Sequence, residues 1–274
     1  MKNKNWRKFL KIGALLLAVF LLFELVLFIN SLIGNPISRM IVKQNAENYI
    51  EAHYAGQGYE IETISYSFKI GGYYVHLSRP DSVDGDFTLG FSMTGKLEND
   101  DYDSRVSGHG NIASRLYASY RSRVSEVLES KVFPYEVSMG FGDLEFDREV
   151  GTKPNENALT RADLENDRFY DLNELGKTNG TLVLYIDNEV VDESTAADIL
   201  LTAKALCDEA GISFYAVDLV LRYPPYDEIS YERPKGSVCI DGFLAEDIYE
   251  EGMEERVRLA VEERKASYAG ENEK

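Results

Sequence analysis

FLKIGALLLAVFLLFELVLFI, from Phe9 to Ile29, is the stretch on which the architecture turns. Only Lys11 and Glu24 carry charge among its 21 residues. As a helix rising ~1.5 Å per residue it is about 31 Å long, enough to cross the hydrocarbon core of a bilayer. Lys2, Lys4, Arg7, Lys8 and Lys11 precede or open the run, and no further cation follows until Arg39. That asymmetry predicts a cytoplasmic N-terminus. A cleaved signal peptide is the alternative. Its apolar region would be unusually long, and Asn30-Ser31-Leu32-Ile33-Gly34-Asn35-Pro36 lacks small residues at the paired positions a cleavage site needs. No cysteine directly follows the run to carry a lipid. The expectation is a single-pass protein of the cell membrane: residues 1–34 form a basic tail and transmembrane anchor, and residues 35–274 lie on the extracytoplasmic side.

Charge is divided unevenly along the chain. Residues 1–34 hold five cations and one anion in a protein of formal net charge −18, which leaves −22 on residues 35–274. Such a domain is repelled by nucleic acid and by anionic surfaces within a Debye length of ~8 Å. Nucleic-acid binding is therefore not expected; the expected partners are the membrane, through the N-terminal helix, and another membrane or cell-wall protein. An acidic surface also serves plain solubility. A hydrophobic content of 44%, with 18 Tyr and 13 Phe, predicts a folded ectodomain, not a disordered stalk. The two cysteines, Cys207 and Cys239, both lie in apolar stretches, and either a disulfide or two buried thiols fits that setting. With no C-x-x-C pair and no Cys/His cluster, neither structural zinc nor another cofactor is expected.

Periodicity divides the ectodomain into two units. Ile37, Ile41, Ala46 and Ile50 recur at near-helical spacing after Asn35-Pro36. Ile64, Tyr66, Phe68 and Ile70 then alternate with polar residues, Gly71-Gly72 signals a hairpin, and Tyr73 to Ser78 returns as its partner. Phe87, Leu89, Phe91 and Met93 mark a third half-buried strand. Asn111 is positioned to cap a helix whose stripe runs through Ile112, Leu116, Tyr120, Val124, Val127 and Leu128, and Tyr135 to Phe146 adds a strand. This predicts a first α-β-β-β-α domain over 35–147. Residues 148–179 are polar and include Pro154, so they are expected to be a linker. The second domain, 180–274, reads β-α-β-β-α: a central strand at Thr181 to Ile186, a helix capped by Thr195 and Asp198, strands at Tyr215 to Leu221 and Ser237 to Leu244, and a helix from Glu250 to about Tyr268. The expected fold class is α+β: one N-terminal transmembrane helix followed by two small two-layer domains with antiparallel sheets.

Residues able to carry chemistry are few. Of the three histidines, His53 ends a helix, His76 lies in a strand, and His109 sits in the flexible turn Ser107-Gly108-His109-Gly110, open to a substrate. No G-x-S-x-G elbow or S-x-x-K motif supplies a nucleophile. Asp143 and Glu145 alternate with Leu144 and Phe146, so both carboxyls leave one strand face, a pair of the kind that glycan hydrolysis employs. Asp101 and Asp103 form a similar pair. Asp81, Asp84 and Asp86 around Gly85, and Asn99 to Asp103, offer oxygens to a cation, though neither follows an EF-hand loop. Glu24, well inside the apolar run, calls either for a partner in the membrane or for a route to the outer interface. None of these is assigned as a catalytic, cofactor-binding or metal-binding residue.

Several ordered segments resemble a family of bacterial membrane-tethered proteins of unknown function, the YfjL-like proteins. They are Gly34-Asn35-Pro36-Ile37-Ser38, Ala46-Glu47-Asn48-Tyr49-Ile50, Tyr66-Ser67-Phe68-Lys69, Asp101-Tyr102-Asp103-Ser104-Arg105-Val106, the Asn111–Arg115 helix start, Phe133-Pro134-Tyr135 and Phe141-Gly142-Asp143-Leu144. The resemblance covers residues 34 to about 144 and, more loosely, the second domain. It implies a Gram-positive origin and one N-terminal anchor, and it brings no catalytic residue with it. The function expected from all of this is a non-catalytic protein- or peptide-binding module. A cell-wall hydrolase using paired carboxylates and a cation-responsive module are the alternatives.

Overall fold

A computed structural model describes residues 2–146, 155–226 and 232–271. It divides into two compact units, Met1–Gly108 and His109–Lys274. Expectations falling on 147–154, including the break at Pro154, lie outside the described residues.

The first unit opens with α1 (Lys2–Ile33). Within it Phe9–Asn30 is long and apolar enough to cross a membrane, and none of it is buried against the rest of the chain. Gly34 and Asn35 separate α1 from α2 (Pro36–His53), and Gly34 is left-handed, φ +75°, where a side chain would be strained. A Cβ there would also sit 2.6 Å from the Tyr73 hydroxyl and 2.8 Å from the Tyr66 ring, so glycine is required twice over. Asn35, expected to make a turn, caps α2: its side-chain oxygen accepts the Ser38 amide at 2.8 Å, and proline follows at the first helical position. The strands β1 (Glu60–Ser67), β2 (Gly72–Ser78), β3 (Phe87–Ser92) and β4 (Leu97–Asp100) form an antiparallel meander in that order. Period-two alternation sends Tyr73, Val75, Leu77, Phe87, Leu89 and Phe91 to one face, where Val42 and Ala46 of α2 cover them.

The second unit contains α3 (Gly110–Leu128), β5 (Glu136–Leu144), α4 (Leu172–Asn179), β6 (Gly180–Asp187), α5 (Glu193–Glu209), β7 (Ala216–Arg222), β8 (Ser237–Leu244) and α6 (Met253–Glu271). Its sheet order is β5-β6-β7-β8. Both outer pairs are antiparallel, but β6 and β7 run parallel, joined through α5, so this sheet is mixed where an antiparallel one was expected.

The division between units differs from the expected one near 147. The stripe of α3 is buried as read, but Ile112, Leu116, Tyr120, Val124 and Leu128 pack with Leu182, Leu184 and Leu219 of the second core. Glycine on β5 makes this possible: a Cβ at Gly142 would lie 2.5 Å from Val124 and 2.6 Å from Tyr120. Nor is the described part of 148–179 a free linker. Ala158, Leu164 and Leu175 are buried, and the Asn179 side chain donates to the carbonyls of Glu145 (2.9 Å) and Leu159 (2.7 Å) while accepting the Leu159 amide. A segment that reads as polar is thus sewn to the sheet by one wholly buried amide. Two caps also differ. Asp192, not Thr195, caps α5 by accepting the Thr195 amide, and His109, at φ +57°, occupies the N-cap position of α3 in place of Asn111.

Candidate functional site

The two acids singled out by alternation, Asp143 and Glu145, line one cleft of about 500 Å³. Its walls are the first turns of α3 (Ala113, Ser114, Tyr117), the end of β5 (Asp143 to Phe146) and Arg161. Leu144 and Phe146 turn into the core, which directs Asp143 and Glu145, alternating with them, to the opposite face. Thr181 donates its hydroxyl to Glu145 Oε1 at 3.2 Å, and the amide of Arg161 donates to the Phe146 carbonyl at 3.3 Å. Beside the cleft, Arg121 donates to the Tyr117 hydroxyl at 2.6 Å and lies 3.9 Å from the centre of the Phe141 ring. The cleft therefore presents two carboxylates, a guanidinium, a phenol and a hydroxyl. That set matches a polar ligand carrying both donors and acceptors. Glycoside hydrolysis instead places its two carboxyls on opposite sides of the scissile bond, whereas these two rise from one strand face.

A second polar centre lies in the first unit. Asp100 accepts the hydroxyls of Tyr54 (2.6 Å) and Tyr49 (2.9 Å) on one oxygen and the Tyr102 amide (2.9 Å) on the other. Tyr54, Tyr59, Phe87 and Tyr102 pack into one aromatic cluster; the Tyr54–Tyr102 rings are tilted with centroids 4.8 Å apart, and Tyr59 and Phe87 meet edge to face at 4.9 Å. Burial, then the neighbouring Asp100, pushes the Tyr54 phenol far above its ordinary value. Burial and the nearby Tyr102 raise Tyr59 to about 12. The Arg79 guanidinium lies 5.7 Å from the Tyr59 ring centre.

That arrangement spends the acids expected to hold a cation. Asp100 is bound by hydroxyls, Asp101 accepts the Thr88 amide, Asp81 pairs with Arg79 at 3.3 Å, and Asp84 is buried. Asp103 begins a π-helical turn, Asp103–Ser107, whose first carbonyl accepts the Gly108 amide. Among the described residues no three His, Cys, Asp or Glu side chains are grouped to hold a metal ion.

The histidines are dispersed. His53 stacks on Tyr49 with centroids 4.0 Å apart, and His109 Nδ1 lies 3.2 Å from the Asn166 side-chain oxygen. His76 Nδ1 is 3.1 Å from the Thr88 hydroxyl, a cross-strand pair on the open face of the first sheet. Cys207 and Cys239 are both free thiols. Cys207 is wholly buried in α5, which lifts it to about 12, and Cys239 is half-exposed on β8. Glu24 lies within the candidate span on α1.

One cluster escaped the sequence reading. Asp187 is buried at the end of β6 and receives Arg222 at 2.9 Å and Arg233 at 2.7 Å. Arg233 also donates to the Tyr223 carbonyl, and Arg222 to the Ser138 hydroxyl. The available signal was an acid closing a continuous apolar strand, followed by arginines at the end of the next strand and just beyond it. Both arginines spend donors within the protein, so the cluster ties strand ends together.

The fold and these sites define a mixed α+β protein of two domains behind one long apolar helix, with polar clefts and no assembled catalytic group among the described residues. Residues 9–109 match the YfjL-like N-terminal domain and residues 119–258 the YfjL-like C-terminal domain; the chain belongs to the YfjL-like family. The first match ends beside the Gly108/His109 division, so the unit boundary and the family boundary agree. No curated protein and no solved structure matches the chain.

Proposed function

We propose that the chain is a single-pass membrane protein whose two domains stand on the extracytoplasmic side and bind another protein or a peptide without catalysing a reaction. The anchor rests on the length and hydropathy of α1, and its orientation on the cations clustered at the N-terminal end. Binding rests above all on β1. It ends its sheet, paired with β2 along one edge and with no strand along the other among the described residues. Glu60, Glu62, Thr63 and Ser65 are exposed along it. An edge of this kind accepts an extended segment by strand addition, and two glutamates favour a basic one. A photoreactive residue replacing Thr63 in the full-length protein tests this in intact cells. One adduct of defined mass is the expected result. No adduct from Thr63, under conditions where a known membrane complex is captured, rejects the edge as a binding surface.

The acids of the cleft, Asp143 and Glu145, leave one alternative, action on a cell-wall glycan, and their place on a single strand face argues against it. Purified protein that releases wall fragments, and loses that activity in both Asp143→Asn and Glu145→Gln, would establish it. Glu24 enters as a contact inside the bilayer. Loss of a captured partner in Glu24→Ala, with the protein still in the membrane fraction, would place that contact there.

A further inference from the structure

The first unit is polarised from end to end, and the end that joins α1 differs from the rest of the acidic chain. Gly34 packs on the rings of Tyr66 and Tyr73, and the Tyr73 hydroxyl both accepts the Asn35 amide and donates to the Asn35 carbonyl, each at 2.9 Å. The close of α1 is therefore held against the end of β1 and β2 that carries their hairpin, residues 67–72. The β3–β4 turn lies at the same end, because Gly72 pairs with Ser92 and Asn45 of α2 donates to the Gly95 carbonyl at 2.8 Å.

Large apolar side chains stand in solvent at this end: Ile37 is 72% exposed, Met40 73%, Phe68 61% and Ile70 54%. Exposed cations accompany them at Arg39, Lys69 and Lys96. No acid occurs from Leu25 to Ala46 or from Thr63 to Pro80. The opposite end carries Glu60, Glu62, Asp81, Asp84 and Asp86. Exposed hydrophobes interleaved with cations and cleared of acids, in a chain of net charge −18, are what a headgroup layer selects.

We infer that this tip of the first unit rests in the phospholipid surface of the bilayer holding α1, with Phe68 and Ile70 below the phosphates and Arg39 and Lys69 against them. The inference rests on the anchored reading of α1. Continuity with the span selects the lipid: the chain runs from Ile33 to the tip through Gly34 and Asn35 only, so the tip sits at the depth where the apolar helix ends.

Trp6 is the sole tryptophan, so one fluorophore can be moved. Full-length protein is reconstituted in vesicles of mixed anionic and zwitterionic phospholipid, with and without bromine on the upper acyl chain. Wild-type Trp6 reports whether α1 is inserted. Trp6→Phe combined with Phe68→Trp reports the tip, and Trp6→Phe combined with Val83→Trp reports the acidic end, where Val83 is 63% exposed. Expected are a shift of the Phe68→Trp emission to shorter wavelength and its loss with brominated lipid, with the Val83→Trp emission unchanged. Quenching of Trp6 but not of Phe68→Trp leaves the anchor standing and overturns the inference. A blue-shifted Phe68→Trp that brominated lipid does not quench overturns it too, since protein would then cover the tip. If Trp6 itself escapes quenching, the anchored reading fails and this inference falls with it.

Discussion

The two units solve the same problem, covering one face of a four-stranded sheet, with different materials. In the first, each strand pairs with the next in sequence and the core is aromatic, with Tyr54, Tyr59, Tyr73, Phe87 and Phe91 around one buried helix face. In the second, β6 and β7 pair in parallel across a helix, and the core is mainly aliphatic, drawing on segments from Ile112 to Val261. Hairpin pairing fixes register locally, so the first unit can seat phenols whose hydroxyls converge on one carboxylate. A mixed sheet assembled from distant segments needs buried polar ties instead, and Asn179 and Asp187 supply them. Local pairing also closes with less loop entropy, which makes the first unit the faster to form.

The sharpest way to break this contrast is at Asn179. Replacing it with alanine leaves the Leu159 amide and two carbonyls without their partner, and about 3 kcal/mol of stability should be lost. Hydrogen exchange read by segment should show the loss across β5 and β6 while β2 and β3 keep their protection. Unchanged protection in β5 would refute the role of this tie. The matching change in the first unit is Asp100→Ala, which strands the hydroxyls of Tyr49 and Tyr54 and should cost about 2 kcal/mol, confined to the meander.

Alkali should separate the units by chemistry. Phenols and thiols with raised values hold their protons more tightly when folded, so their contribution is complete below the ordinary value and disappears as pH rises through the folded one. For Cys207 that window runs from 9.0 to about 12 and for Tyr59 from 10.0 to about 12. Destabilisation should therefore begin in the second unit, and Cys207→Val should remove the part that starts near the thiol's ordinary value. The same burial predicts that in the native protein a thiol reagent at mild alkaline pH labels Cys239 and spares Cys207.

The smallest effect is expected at Asp86, whose carboxyl is raised by burial and then by Glu62 and Asp84. An acid raised on folding is a burden when ionised, and that burden disappears as pH falls below the ordinary carboxylate range. Because Asp86 is exposed, solvent screens most of that burden, and Asp86→Asn should stabilise the first unit at neutral pH by no more than a few tenths of a kcal/mol and flatten its acid response. Thermal melts at pH 7 and pH 4 would reveal a difference of the wrong sign.

Legibility followed the same division. Asn35-Pro36, Gly71-Gly72 and the Phe87-Leu89-Phe91 alternation are local signals, and each marks the element found there. β4 escaped because Leu97–Asp100 is too short to alternate. The stripe on α3 was readable as a buried face, but a stripe says nothing of which sheet covers it. Gly140 and Gly142, small residues alternating on β5, were the clue to its true partner. The acids of the cleft were visible at period two. The cleft was not, because Arg161 comes from a stretch whose polarity hid Leu164, Leu175 and Asn179.

The joint at Gly34 has a mechanical side. A tether of several loose residues would let a domain swivel and would absorb a sideways pull. Here two residues, Gly34 and Asn35, separate the helices, and the second is clamped through both backbone groups by the Tyr73 hydroxyl. If α1 is set in a bilayer as proposed, a load applied to the first sheet reaches that helix as torque, and anchor and domain turn together. The family match, which begins at Phe9 inside the apolar helix and runs unbroken to residue 109, treats the two as one part.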